Sequence, residues 1–160
     1  MRYRRQFELA GAVEEAFAYL ADFDNAKEWD PGVERITRLT PPPTSLGSRF
    51  DVVFLFRGRR QRMEYEVTGF QAGQRLVLEG KGGKVRSQQD TITFIDRGDR
   101  TGVSYESVVR LTGVWRLAEP FLRPTLKRES DRALDRMAEQ FGRRVQARGS
   151  PRSHSSRGSR

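Results

Sequence analysis

Residues 115–145 read WRLAEPFLRPTLKRESDRALDRMAEQFGRRV, and this stretch decides the fold. Leu122, Leu126, Ala133, Leu134, Met137, Phe141 and Val145 recur at helical spacing, so they share one face of one long amphipathic helix. Pro120 suits a first helical turn, and Pro124 four residues on predicts a start or a kink there. Everything before this helix, back to about residue 33, reads as strand. A lone long helix after a run of antiparallel strands hides its apolar face best when the sheet curls around it. Such a curl leaves room for a cavity, which is the first functional lead.

Working outward, residues 49–56, 60–70, 74–80, 85–95 and 102–111 each read as strands. Met63, Tyr65 and Val67 alternate with polar neighbours, as do Ile92 and Phe94, and Val103, Tyr105, Ser107, Val109 and Leu111. The separators Arg57-Gly58-Arg59, Ala72-Gly73, Gly82-Gly83 and Arg97-Gly98-Asp99 are hairpin turns. Residues 33–39 make an edge strand stopped by Pro41, Pro42 and Pro43, and residues 3–9 a first strand. Residues 12–22 are helical: Val13, Phe17, Leu20 and Ala21 share a face, and Glu14 and Glu15 occupy the first turn, where the helix dipole favours acids. A second short helix covers 23–28, broken by Asp30-Pro31-Gly32.

The totals bound the answer. The 160 residues make one domain, with no cysteine and no apolar run of transmembrane length. The basic N-terminus has no apolar segment behind it, so it is not a secretory signal, and the cytoplasm is the default compartment. The net charge of +9 is uneven. Six of the 30 basic residues follow Gly142 and no acid follows Glu139, which leaves 24 basic against 21 acidic residues in 1–142. We therefore place a folded domain at 1–147 and a disordered Arg/Ser/Gly-rich tail at 148–160. The tail lacks the interleaved aromatics of a nucleic-acid-binding arm, so nucleic acid is not an expected partner.

This order of elements resembles the helix-grip fold of the START-like, or SRPBCC, superfamily, in its polyketide cyclase/dehydrase-like branch. The resemblance rests on AFAYLADF at 16–23, Trp29-Asp30-Pro31-Gly32, LGSRF at 46–50 and RLVLEG at 75–80. DTITF at 90–94, LTG at 111–113 and EPFL at 119–122 complete it, and it spans roughly residues 3–145. It implies an α+β architecture: a curved antiparallel sheet of six to seven strands, ordered 1-7-6-5-4-3-2, wrapped around the C-terminal helix. The two short helices lie between strands 1 and 2. It does not fix activity, because the superfamily spans cyclases, hydrolases, lipid carriers and receptors.

The residues themselves narrow the chemistry. His154 is the only histidine and lies in the tail, so neither a Ser-His-Asp triad nor a His- or Cys-based metal site is expected. No dinucleotide or P-loop motif calls for a cofactor. Gly80-Lys81-Gly82-Gly83-Lys84 sits between strands and reads as a hairpin. Asp22, Asp24, Glu28 and Asp30 crowd one stretch without calcium-loop spacing and read as a solvated surface.

Strand parity and the resemblance together place Phe54, Phe56, Tyr65, Leu78, Phe94 and Tyr105 on the inner face, with Trp29, Trp115 and Phe121 near the opening. Plain core packing is the alternative for each one. Tyr65 and Tyr105 would supply polar groups to a ligand. Asp90, Glu64 and Glu106 are the other titratable candidates, with their orientation left open.

Alternating strand directions bring the turns at 57–60 and 81–84 and the junction at 112–116 to one end. That end carries Arg57, Arg59, Arg60, Lys81, Lys84 and Arg116, with Arg123 further along the helix. A positive rim of this kind attracts an anionic amphipathic ligand such as a fatty acid, or an anionic membrane surface. Two readings follow. One is a carrier that binds a small hydrophobic or amphipathic molecule, such as a lipid or polyketide-like compound. The other is a cyclase or dehydratase using Tyr or carboxylate groups in the same cavity. The sequence is silent on oligomeric state.

Overall fold

The computed structural model describes residues 1–149. Seven antiparallel strands form one sheet in the order β1-β7-β6-β5-β4-β3-β2. They are β1 (Arg2–Ala10), β2 (Val33–Arg38), β3 (Arg49–Phe56), β4 (Arg59–Gln71), β5 (Arg75–Gly82), β6 (Val85–Asp96) and β7 (Arg100–Leu111). Between β1 and β2 lie α1 (Val13–Ala21), a 3₁₀ turn (Phe23–Asn25) and α2 (Ala26–Trp29). A second 3₁₀ turn (Gly113–Ala118) leads into α3 (Glu119–Gly149). The expected architecture and strand order are those found. The helix continues through Pro124, with Glu119 and Pro120 at its start. Because α3 runs on to Gly149, residues 148 and 149 are helical; the rest of the expected tail, with His154, lies outside the described residues.

Turn chemistry sets the register. Phe56 pairs with Arg59, so the β3–β4 loop is only Arg57-Gly58. Both have positive φ, 50° and 73°, the backbone of the hairpin turn whose twist matches the strands. Irregularities at Val67/Gly69 and Gly80/Gly82 locally shift the ladders and bend the sheet.

One core fills the concave side. Phe50, Val52, Met63, Tyr65, Val67, Leu76, Leu78, Ile92 and Val103 are buried there. From α1, Phe17 meets Phe70 and Phe94 edge-on, each with ring centroids 5.2 Å apart. The buried residues of α3 are Ala133, Leu134, Met137 and Phe141, so burial is confined to its middle and rear turns. Phe141 lies 5.4 Å from the Tyr19 ring of α1.

The front of α3 is tied differently, by polar contacts to β1. Tyr3 Oη donates to Asp131 Oδ1 at 2.6 Å. Arg5 Nη2 donates to Asp135 Oδ1 at 2.5 Å, and the N-terminal ammonium lies 3.7 Å from Glu119. Burial and the Asp131 carboxylate push the Tyr3 phenol up to about 12. No helix among the described residues is long and apolar enough to cross a membrane.

Candidate functional site

Alternation along β6 turns Asp90, Ile92 and Phe94 to the concave face, and all three are buried. The register then fixes their neighbours. Asp90 lies between Leu78 of β5 and Ser107 of β7, and Gln88 between Gly80 and Val109. Ile92 pairs with Tyr105, while Tyr65 lies between Phe50 and Gly80. A polar patch of Asp90, Gln88, Ser107, Tyr105 and Tyr65 is thereby set into an apolar wall. Gly80 makes this possible: a Cβ there would come within 2.6 Å of the Tyr65 ring.

The patch is under-satisfied. Gln88 Nε2 donates to Asp90 Oδ2 at 2.9 Å. Among the described residues Asp90 Oδ1 is buried with no partner in full hydrogen-bond geometry, although the Ser107 and Tyr105 hydroxyls lie beside the carboxylate. Burial pushes the Asp90 carboxyl up; the Ser107, Gln88 and Tyr105 side chains act the other way, and Asp30 adds to the rise. Tyr65 and Tyr105 are pushed well above the ordinary phenol value, first by burial and then by the Asp90 charge. Tyr105 is partly exposed as a residue, but its hydroxyl lies on the deep side. Two further carboxyls reach the same region. Asp30, at the end of α2, accepts from the Gly32 amide at 2.8 Å and is raised by burial. Glu129, from the front of α3, is raised by burial and then by Asp30. Beside Asp30, Trp29 Nε1 is also buried without a partner. Such an arrangement can hydrogen-bond a ligand carbonyl or hydroxyl, and a carboxyl held up by burial is a better proton donor or acceptor for a ligand than a solvated one.

The inner face brings together most of the expected lining residues. Tyr65, Leu78 and Phe94 are buried, and Phe54, Phe56, Trp29 and Tyr105 are partly so. Phe94 packs on Phe17 at the far end of the core. Phe54 sits 6.1 Å from the Tyr65 ring, next to the polar patch. Trp115 and Phe121 stand apart from this group. Lys84 Nζ lies 3.4 Å from the Trp115 ring centroid, and Phe121 is 80% exposed. Of the open candidates, Asp90 points inward. Glu64 pairs outside with Arg49, and Glu106 lies 3.6 Å from Arg2. Sequence reasoning missed Gln88, Ser107, Asp30 and Glu129 as members. The signal for the first two was parity, since Gln88 and Asp90 extend the Ile92/Phe94 alternation and Ser107 follows Tyr105.

The carboxylates of 22–30 are not merely solvated. Asp22 and Asp24 hold Arg38 at 2.9 and 2.7 Å. Glu28 receives the Tyr19 hydroxyl at 3.1 Å and pairs with Arg144. No three acids, histidines or cysteines among the described residues are grouped to hold a metal ion.

The Thr112 amide donates to the Lys84 carbonyl, joining the β7–α3 junction to the β5–β6 turn. Arg60 is occupied elsewhere, 2.8 Å from Glu34. Arg57, Arg59, Lys81, Lys84 and Arg116 form no salt bridge among the described residues. The two leading concavities lie elsewhere. One, of about 450 Å³, is on the outer face around Glu66, Glu79, Gln89 and Arg110. The other, of about 400 Å³, lies between α1 and the rear of α3. On the inner face Phe17, Phe50, Tyr65 and Phe94 pack into the core, with Phe54, Trp29 and Tyr105 partly buried against it.

The model of a family described as polyketide cyclase / dehydrase and lipid transport matches residues 1–142. Among solved structures, an aromatase/cyclase from a Streptomyces species superimposes with a TM-score of 0.75 at 14% identity, covering 94% of this chain and 98% of that one. A START superfamily protein from Mycobacterium smegmatis gives 0.68 at 16% identity, over 91% and 97%. A Thermus thermophilus protein gives 0.71 at 18% identity, over 94% and 100%. At these identities the likeness is one of fold. No curated protein matches the chain.

Proposed function

The chain belongs to the polyketide cyclase / dehydrase and lipid transport family, and we propose that it binds a small hydrophobic or amphipathic molecule against the concave face, under the front of α3. The observation that carries this reading is Asp90 Oδ1, a buried oxygen that no described residue meets in full hydrogen-bond geometry. An unmet buried polar atom costs about 1–3 kcal/mol, and a ligand hydroxyl or a similar donor would remove that cost. Trp29 Nε1 offers a second unmet group, a donor suited to a carbonyl. Around them Phe54, Phe56 and Tyr105 are only partly buried, so apolar surface is available for a ring or chain. Asp90 on the concave face and the cations Arg59, Lys84 and Arg116 at the rim would orient an anionic amphiphile with its charge outward.

A second reading has its own observation. Asp90 lies beside the Tyr105 and Ser107 hydroxyls and within electrostatic reach of Tyr65 and Asp30. A carboxyl raised by burial next to phenols is suited to general acid–base work on a polyketide-like substrate, such as a dehydration or ring closure. Asp90 would take or give the proton, and Tyr105 would hydrogen-bond the substrate oxygen.

Native mass spectrometry of the purified chain tests the binding reading, backed by titration with 1-naphthol as a neutral hydroxyl-bearing probe. Retention of a small apolar molecule, and roughly tenfold weaker naphthol binding in Asp90→Asn, is expected. A chain that retains nothing and binds naphthol equally with or without Asp90 contradicts it.

A further inference from the structure

The 3₁₀ turn and first helical turn before Pro124 carry an apolar face that no described residue covers. Val114, Leu117 and Phe121 are 76%, 79% and 80% exposed. Their three- and four-residue spacing puts them on one side of the helical segment. Trp115, 38% exposed, borders them beneath the Lys84 ammonium. Surface residues are commonly apolar one at a time; several large ones side by side mark a contact surface.

The charge around this face identifies the contact. Arg116 and Arg123 flank it on the same segment, and Arg57 and Lys84 from two hairpin turns and Arg59 from the start of β4 lie at the same sheet end. None of these five forms a salt bridge among the described residues. The only acid in 113–126 is Glu119, which already faces the N-terminal ammonium at 3.7 Å. A second copy of the chain would set these cations against one another across a two-fold axis. A projecting apolar ridge ringed by long basic side chains fits a lipid surface instead. The ridge enters the boundary between headgroups and acyl chains, and the cations meet phosphate and anionic headgroups. We propose that the 114–121 face docks this chain on an anionic bilayer. The docking does not depend on which molecule the concave face holds.

The test uses the full chain and sedimentation with vesicles of phosphatidylcholine alone or of equimolar phosphatidylcholine and phosphatidylglycerol. A Trp29→Phe variant leaves Trp115 as the single tryptophan and reports its burial by a blue shift of emission. Binding to the mixed vesicles only, with that shift, is expected. Leu117→Glu and Phe121→Glu each weaken partition roughly tenfold or more, while thermal melts stay unchanged because both side chains are in solvent. Arg116→Glu with Arg123→Glu weakens binding in the same assay without touching the apolar ridge. Absence of binding to mixed vesicles overturns the proposal. So does binding that Leu117→Glu and Phe121→Glu leave intact, which would assign it to other basic residues, including Arg152, Arg157 and Arg160. A concentration-dependent dimer that those variants abolish, with no vesicle binding, gives the face to a second copy and equally overturns it.

Discussion

Asp90 faces Ser107 across the β6–β7 ladder, and its Oδ1 meets no described residue in full hydrogen-bond geometry, although the Ser107 and Tyr105 hydroxyls lie beside the carboxylate. Burial holds its carboxyl above the ordinary value of 3.8, so folding favours the protonated form. The folded chain then binds more protons than the unfolded chain from pH 3.8 upward until Asp90 ionises. Stability falls with rising pH through that window and stays lower above it. Asp90→Asn removes the loss. The variant is expected to be more stable than the wild type by on the order of 1 kcal/mol at about pH 7, with the gap closing toward about pH 4. Thermal melts across pH check this. A variant less stable at neutral pH would show that the ionised carboxylate is well solvated after all.

Gly80 lets Tyr65 lie flat against β5. Gly80→Ala puts a methyl group 2.6 Å from the Tyr65 ring and is expected to cost about 1–3 kcal/mol. In a Tyr65→Leu background most of that cost disappears, because the obstructing ring is gone. A double-mutant cycle by urea unfolding measures the coupling; strictly additive effects refute the contact.

Phe141 and Phe121 sit on one helix and should behave oppositely. Phe141 is buried against Tyr19, so Phe141→Ala is expected to cost about 3–5 kcal/mol. Phe121→Ala, in solvent, should stay within about 0.5 kcal/mol of the wild type. Comparable losses would mean that the front of α3 is packed as tightly as its rear.

Arg38 joins β2 to the segment after α1. Its guanidinium reaches Asp22, Asp24 and Thr44 at 2.9, 2.7 and 2.9 Å and lies 5.0 Å from the Phe50 ring centroid. A lysine ammonium cannot span those partners, so Arg38→Lys is expected to cost about 1–2 kcal/mol. A chemical melt identical to wild type would reduce the cluster to surface decoration.

Most of the fold was legible because each hairpin is punctuated by glycine and each strand alternates. Residues 49–56 were bounded as found, and the other strands within two residues. The sheet face was legible for the same reason, so Tyr65, Leu78 and Phe94 lie where parity put them. Parity also points Asp90 inward, although a carboxylate on an apolar face runs against ordinary partitioning. Asp30 and Glu129 were beyond reach because loop and helix approach the patch from outside the sheet, and no local period reports that approach. Trp115 and Phe121 are expected near the opening from parity and the resemblance; on the last helix full burial of the apolar stripe begins only at Ala133.

That division along α3 gives the helix two kinds of fastening. Toward the rear it is held by hydrocarbon, which added salt leaves in place or tightens. Toward the front it is held to β1 by Glu119, Asp131 and Asp135 facing an ammonium, a phenol and a guanidinium. Ionic strength therefore acts as a selective key, loosening the front latch while the rear hinge stays shut. Amide exchange in the front turns, compared at low and high salt, would show a rod that swings about its far end.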